Sequence, residues 1–395
     1  MLNSSRVAPA LVLDRDCFGA NLSCLPLTCP DEEFELPRPF IADRGYCWMT
    51  AAGLFGIGDF PGSNRHSPVQ LSEDGRPLQT SHAGHDDIRA KGNGRYSHWQ
   101  SWFWFAASDN SNPNTNGRRY GARVNWDGFF TQHARLAAIH VRQYLAHIPN
   151  GGEGVTGRTI LELGPGSGTG TLYAFAALGA RVIGLDPYPQ KWSQDWHIPY
   201  MQVLARELAR EGVLINEEAL CSDDTRECVS LTHASVEKIP EFLHGQADII
   251  LSTAVLEHVE DMAATVAALA KASKPGALGI HIVDFRDHRD ASRPLEYMLL
   301  DDEAFEAENK GYYRYVIGNR QTLPRLKALL ERGGFHVVAA ETFLANDGAY
   351  VNDILARIRT SRTRFRDIAR PELEVGIGTF VLTRAPGDRT VAAND

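Results

Sequence analysis

The stretch Thr159–Asp186 reads TILELGPGSGTGTLYAFAALGARVIGLD. An apolar run, Ile160 to Leu163, ends in a glycine-rich turn with Gly164, Gly166 and Gly168. A helix of small residues is predicted from about Thr169 to Leu178. A second apolar run, Arg181 to Leu185, ends in Asp186. The order strand, tight turn, helix, strand, acid suits a nucleotide-like ligand. Glycines let the backbone adopt positive φ and approach a ligand closely, a helix start presents unpaired N–H groups, and an acid at the end of the second strand accepts hydrogen bonds from ribose hydroxyls.

The spacing departs from the dinucleotide pattern G-x-G-x-x-G. Here it is Gly164-x-Gly166-x-Gly168, with Glu162 two residues before the first glycine. A carboxylate there repels a pyrophosphate and suits a cationic ligand. The stretch resembles the first motif of class I S-adenosylmethionine-dependent methyltransferases, E/D-x-G-x-G-x-G. The resemblance implies S-adenosyl-L-methionine as cofactor, held by Glu162, Gly164, Gly166 and Gly168, with Asp186 as the ribose-binding acid.

The 395 residues allow two or three domains. A hydrophobic content of 43% and a charged content of 23% are ordinary for a globular protein. The net charge of −9, without a long basic run, argues against a nucleic-acid partner bound through bulk electrostatics. No apolar run approaches the roughly 20 residues needed to span a bilayer, and the N-terminal apolar patch is too short for a secretory signal. Cys17, Cys24, Cys29, Cys47, Cys221 and Cys228 form no C-x-x-C pair, which disfavours a zinc site of that kind. The cofactor reading implies a cytoplasmic location and free thiols.

Residues 1 to about 40 read as an extended, proline-spaced arm. From Gly45 to about Tyr120 short apolar or aromatic pieces alternate with turn signals, giving a β-rich module; Asp74-Gly75 marks a hairpin. Five of the seven tryptophans, Trp48, Trp99, Trp102, Trp104 and Trp126, lie here or just beyond. Two clusters stand out: SHAGHDDIRAKGNGRYSHW, with His82, His85 and Asp86, and WFWFAASDNSNPNTNGRRY. Aromatic faces beside Asn, Asp and Arg offer a sugar ring a flat platform and paired hydrogen-bond partners. The plainer alternative is a Trp/Phe core face capped by an Asx-rich turn. His82, His85 and Asp86 carry metal-ligand chemistry but read as a satisfied structural cluster, so no metal site is assigned. The two clusters resemble a segment of proteins from bacterial surface-polysaccharide loci.

Trp126 to Ile148 shows helical apolar spacing. Strands and helices then alternate, which implies a mostly parallel sheet with helices on both faces. Strands are predicted near 228–233, 247–252, 278–284, 335–343 and 375–383, and helices near 198–211, 257–272 and 350–368. That order matches the seven-stranded, Rossmann-like methyltransferase sheet, whose last strand is antiparallel. The expected organisation is an N-terminal arm and aromatic module over 1–125, for substrate recognition or as a lid, a methyltransferase domain over 126–384, and a disordered tail over 385–395.

Ligands of open α/β sheets bind at the carboxyl ends of the strands. After the third strand, HASVEKIP resembles the family's D-A-x-x-L-P segment with Ser235 in place of the acid. After the fourth, STAVLEHVED resembles the family motif that places Ser252 under the methionine portion. Ala254 stands where metal-binding members have a first Glu, leaving Glu257 and His258. After the fifth, HIVDFRDHRD offers Asp284, Asp287 and His288. A hydroxyl acceptor needs a base, so His258, Asp284 and His288 are the candidate catalytic residues.

These readings predict a methyltransferase acting on a saccharide or glycoconjugate hydroxyl, in polysaccharide biosynthesis. The alternatives are O-methylation of a small non-sugar metabolite and a non-catalytic glycan-binding protein that keeps the cofactor fold.

Overall fold

The computed structural model of the protein describes residues 33–51, 58–59, 66–99, 102–166, 169–187, 189, 192, 194–290, 292–309 and 317–385. Gly168, Cys17, Cys24, Cys29, most of the N-terminal arm and nearly all of the C-terminal tail lie outside the described residues. The chain divides into two compact units, 1–133 with 288–293, and 134–287 with 294–395. The division falls inside the long helix Trp126–His147, not ahead of it.

The N-terminal unit is built from short antiparallel strands: β1 (Phe34–Glu35), β2 (Ile41–Ala42), β3 (Trp48–Ala51), β4 (Val69–Glu73), β5 (Arg76–Pro77), β6 (Tyr96–Trp99), β7 (Trp102–Phe105) and β8 (Tyr120–Val124). They form two four-stranded sheets, β1-β8-β4-β5 and β2-β3-β7-β6. The expected hairpin is present: β4 and β5 pair through Asp74 (φ +50°) and Gly75 (φ +74°), the two positive φ values that a type I′ turn requires.

In the C-terminal unit β9 (Thr159–Leu163), β10 (Arg181–Asp186), β11 (Val229–His233), β12 (Ala247–Thr253), β13 (Ser273–Asp284), β14 (Phe335–Ala345) and β15 (Val375–Arg384) make one sheet. Its order is β11-β10-β9-β12-β13-β15-β14. The pairs among β9 to β13 are parallel, and β15 runs antiparallel to both its neighbours. This is the predicted seven-stranded methyltransferase sheet. The central strands read as near-continuous apolar runs because helices cover both faces. Leu161, Leu163, Leu185, Ile250, Val283 and Phe380 belong to one buried cluster.

Two predicted boundaries shift. The helix placed from Glu257 begins instead at Met262, because Asp261 caps it by accepting from the Ala264 N–H; Leu256–His258 is a separate 3₁₀ turn. The helix placed over 350–368 is Gly348–Thr360, started by Asp347, whose carboxylate accepts from the Tyr350 N–H. In each case a side-chain cap satisfies an orphan helix donor.

Candidate functional site

β9 ends at the glycine turn. Gly164 (φ +57°) and Gly166 (φ +67°) are both left-handed, a conformation glycine adopts without penalty. A Cβ on Gly164 would lie 2.6 Å from Val255 Cγ2, so the turn after β9 and the turn after β12 meet only because this residue has no side chain. A Cβ on Gly166 would meet nothing within 4 Å. The backbone at Gly166 therefore faces open space, the condition for a ligand to approach it. Asp186 ends β10 half-buried. These features fit an adenosyl cofactor.

Glu162 lies beneath this turn rather than exposed in it, at 5% exposure. The Thr171 hydroxyl, in the first turn of the helix Gly170–Ala177, stands 2.6 and 2.7 Å from its two oxygens. One hydroxyl proton serves two oxygens. Burial pushes the Glu162 carboxyl up to about 7, with Thr171 only partly offsetting it. The acid of the motif thus bonds strand β9 to the helix that follows.

At the carboxyl end of β12, Ser252 is fully buried, with its Oγ 2.8 Å from His281 Nδ1 on β13. Burial pushes His281 down to about 4. The next residue, Thr253, bonds through its hydroxyl to Tyr144 Oη at 2.5 Å. Ala254 then takes φ +53°. Residues other than glycine seldom hold this conformation, and strain of this kind clusters at functional sites.

Glu257, at 2% exposure, accepts a hydrogen bond from the Asp284 N–H through Oε1 at 3.2 Å, and its Oε2 is buried without a partner. Burial, with the nearby Asp284 charge, holds Glu257 well above the usual carboxylate range. Asp284 accepts from Arg286 Nε at 2.8 Å and Nη2 at 2.6 Å. That fork is bidentate and ties the carboxylate into an ion pair. His258 follows Glu257 half-buried in the 3₁₀ turn. Ser235 is half-buried just after β11.

Three placements bear on the sequence reading. Asp284 and His288 fall in different units, and His288 belongs to the N-terminal one, where its carbonyl accepts from Trp99 Nε1 at 2.7 Å. Trp102 and Trp104 are 4% and 3% exposed, so the tryptophan stripe is core and not a sugar platform. Alternate residues of β6 and β7 are all buried because both faces of that hairpin are covered. The Asn-rich loop spends its polar groups internally: Arg118 bonds Glu73 and Asp109, and Asn116 donates to Tyr120 Oη.

His82, His85 and Asp86 do not assemble. His85 stacks on Trp104 at 4.1 Å and faces Asp290, while Asp86 pairs with Arg89. His82 pairs instead with Asp59, Nδ1 to Oδ1 at 2.7 Å. Sequence reading missed Glu257 as a buried acid, Thr171 and Asp59. Only the apolar Val255–Leu256 ahead of Glu257 hinted at its burial; nothing linear relates Asp59 to His82. Among the described residues Cys47, Cys221 and Cys228 are free thiols, and no helix is long and apolar enough to cross a membrane.

Residues 130–340, more than half of the chain, match a family model described as a methyltransferase domain. No curated protein matches the chain. Among solved structures it is similar to an S-adenosylmethionine-dependent methyltransferase from Mesorhizobium loti, at 19% identity and TM-score 0.34, over 60% of this chain and 94% of that one. It is also similar to geranyl diphosphate C-methyltransferase from Streptomyces coelicolor, at 14% identity and TM-score 0.36, over 62% of this chain and 76% of that one. Neighbours this distant carry no assignment, but the domain match does, and it falls on the sheet that carries the glycine turn. The chain belongs to the S-adenosylmethionine-dependent methyltransferases.

Proposed function

We propose that this methyltransferase acts on a hydroxyl oxygen, with His258 as the general base. The observation that carries this reading is the position of His258: a half-buried imidazole in the turn after β12, beside the buried Glu257 that bonds the end of β13. The carboxyl edge of an open sheet is where its ligands bind. S-adenosylmethionine, when bound, supplies a methyl group already activated by its sulfonium. The residues must then orient the acceptor and take its proton, and a hydroxyl acceptor is the class that needs a base.

In this reading Gly164, Gly166, Gly168, Asp186 and Ser235 cradle the cofactor. Glu162 and Ser252, both buried, hold the strand ends beneath it. Asp284 fixes Arg286, and the buried Glu257 holds the end of β13 by accepting from the Asp284 N–H. The N-terminal unit serves acceptor recognition. The narrowest form of the proposal is a saccharide or glycoconjugate hydroxyl, motivated by the polar clusters of the N-terminal sequence. The burial of Trp102 and Trp104 favours a second form, a small non-sugar hydroxyl, because it removes the stacking platform.

Transfer of labelled methyl from S-adenosylmethionine to a glycan extract and to a panel of small alcohols and phenols distinguishes the two forms. Replacement of His258 by Ala is expected to lower kcat by about 10²–10⁴-fold with little change in KM. His288→Ala serves as the parallel variant. Full activity in both would remove the proposed base.

A further inference from the structure

We propose that the N-terminal unit carries a binding site for a divalent transition-metal cation, with Asp59, His66 and His82 as its protein ligands. One ligand atom from each of the three lies within 4.8 Å of the others. Asp59 Oδ1 and His82 Nδ1 are 2.7 Å apart. Two ligands each about 2.0–2.2 Å from one tetrahedral metal ion stand about 3.4 Å apart, so this hydrogen-bonded pair has to open by less than about 1 Å to admit an ion. The His66 ring lies against that of His82, centroids 4.5 Å apart and planes 36° from parallel. His66 is exposed, so its imidazole can swing inward by the remaining distance.

The surroundings are built to hold the carboxylate. Oδ1 also accepts from the Ser67 N–H at 2.7 Å, and Oδ2 accepts from the Ser97 hydroxyl at 2.9 Å and the His98 N–H at 3.0 Å. The Ser67 hydroxyl continues the network to His98 Nδ1 at 2.7 Å. Metal-ligating carboxylates are fixed by outer hydrogen bonds of this kind. His82 sits at φ +58°, a left-handed conformation held for a non-glycine residue. Burial grades from Asp59 inside to His66 outside, which leaves an entry path from solvent.

Two imidazoles and one carboxylate suit zinc, cobalt, nickel or ferrous iron, whereas magnesium and calcium take mainly oxygen ligands. Three protein ligands leave at least one position for water or an oxygen ligand. The competing account is a structural His82–Asp59 ion pair. It gives His66 no part, and that difference decides the test.

Full-length protein stripped with chelator is titrated with Zn²⁺ by calorimetry, and with Co²⁺ followed by its visible absorption. The expected result is one Zn²⁺ per chain, not displaced by millimolar Mg²⁺ or Ca²⁺. His66→Ala and His82→Ala each weaken binding at least about 10–100-fold, and the exposed-site control His336→Ala leaves it unchanged. Should His82→Ala fail to fold, the exposed His66→Ala decides alone. Absence of stoichiometric Zn²⁺ and Co²⁺ binding, or an unchanged affinity in His66→Ala, would overturn the site. Neither readout depends on methyl transfer.

Discussion

Asp59 in the N-terminal unit and Glu162 in the C-terminal unit are both buried carboxylates, yet their surroundings drive them in opposite directions. Burial works against the charge of Asp59, but hydrogen bonds from His82, Ser67 and Ser97 outweigh it and hold the acid below its usual range. Glu162 receives one hydroxyl proton from Thr171, and burial prevails. Burial sets the cost of a charge, and the supply of donors decides whether the cost is met. Asp59 is therefore a permanent anion poised to meet cations. Glu162 is a neutral-leaning acid poised to ionise when positive charge arrives.

The largest test of this contrast is Asp59→Ala. It strands the Ser67 and His98 N–H groups and the His82 imidazole, and is expected to cost about 3–5 kcal/mol. Urea unfolding with a probe in the N-terminal unit measures it. A loss below about 1 kcal/mol would mean that the donors do not depend on the carboxylate.

Glu162→Gln tests the other side through pH. The Glu162 carboxyl is raised from 4.5 in the unfolded chain to about 7 in the fold. Its contribution to stability is fully present below pH 4.5 and lost as pH rises through 7. At about 1.4 kcal/mol for each pH unit, that loss is about 3 kcal/mol. His281 acts in the opposite sense: lowered from 6.5 to about 4 by burial, it contributes stability above pH 6.5 that is lost as pH falls toward 4. The two slopes nearly cancel in the ligand-free protein between pH 4.5 and 6.5. Glu257, likewise raised by burial, adds a slope of the Glu162 sign, so Glu162→Gln should fall less steeply with pH than the parent across that window. A denaturation series from pH 4 to 8 reads this directly, and a variant with the parental profile would show that Glu162 ionises normally.

A smaller effect separates the two turn glycines. Gly164→Ala places a methyl against Val255 and also meets the left-handed penalty of about 1–2 kcal/mol. Gly166→Ala meets that penalty without a clash. Gly164→Ala should therefore melt lower, while Gly166→Ala should show the larger loss of S-adenosylhomocysteine affinity, since its methyl enters the open cradle. Thermal melts paired with calorimetry check both. Equal affinity losses would place the cofactor away from Gly166.

The C-terminal unit was largely legible because its signals are local. Glycine spacing, apolar runs and the alternation of strand and helix lie within short windows, and backbone pairing in a parallel sheet demands that pattern. The cap at Asp261 was missed because Glu257 and His258 carry acceptable helical residues one turn too early, and only the cap's own hydrogen bond sets the start. The tryptophan stripe stayed open between platform and core because an aromatic strand looks alike whether one face or both are covered.

By itself the sequence determined the succession of strands and helices, the glycine turn and, through the motif it resembles, the cofactor class. Each follows from residues near one another along the chain, through backbone geometry that few side chains permit. The tertiary structure alone decided which titratable groups hold charge. It set Asp59 before His82 and three further donors, buried Glu257 against the end of β13, and locked Asp284 to Arg286. Protonation depends on burial and on donors brought from distant positions, and those distances exist only in the folded chain.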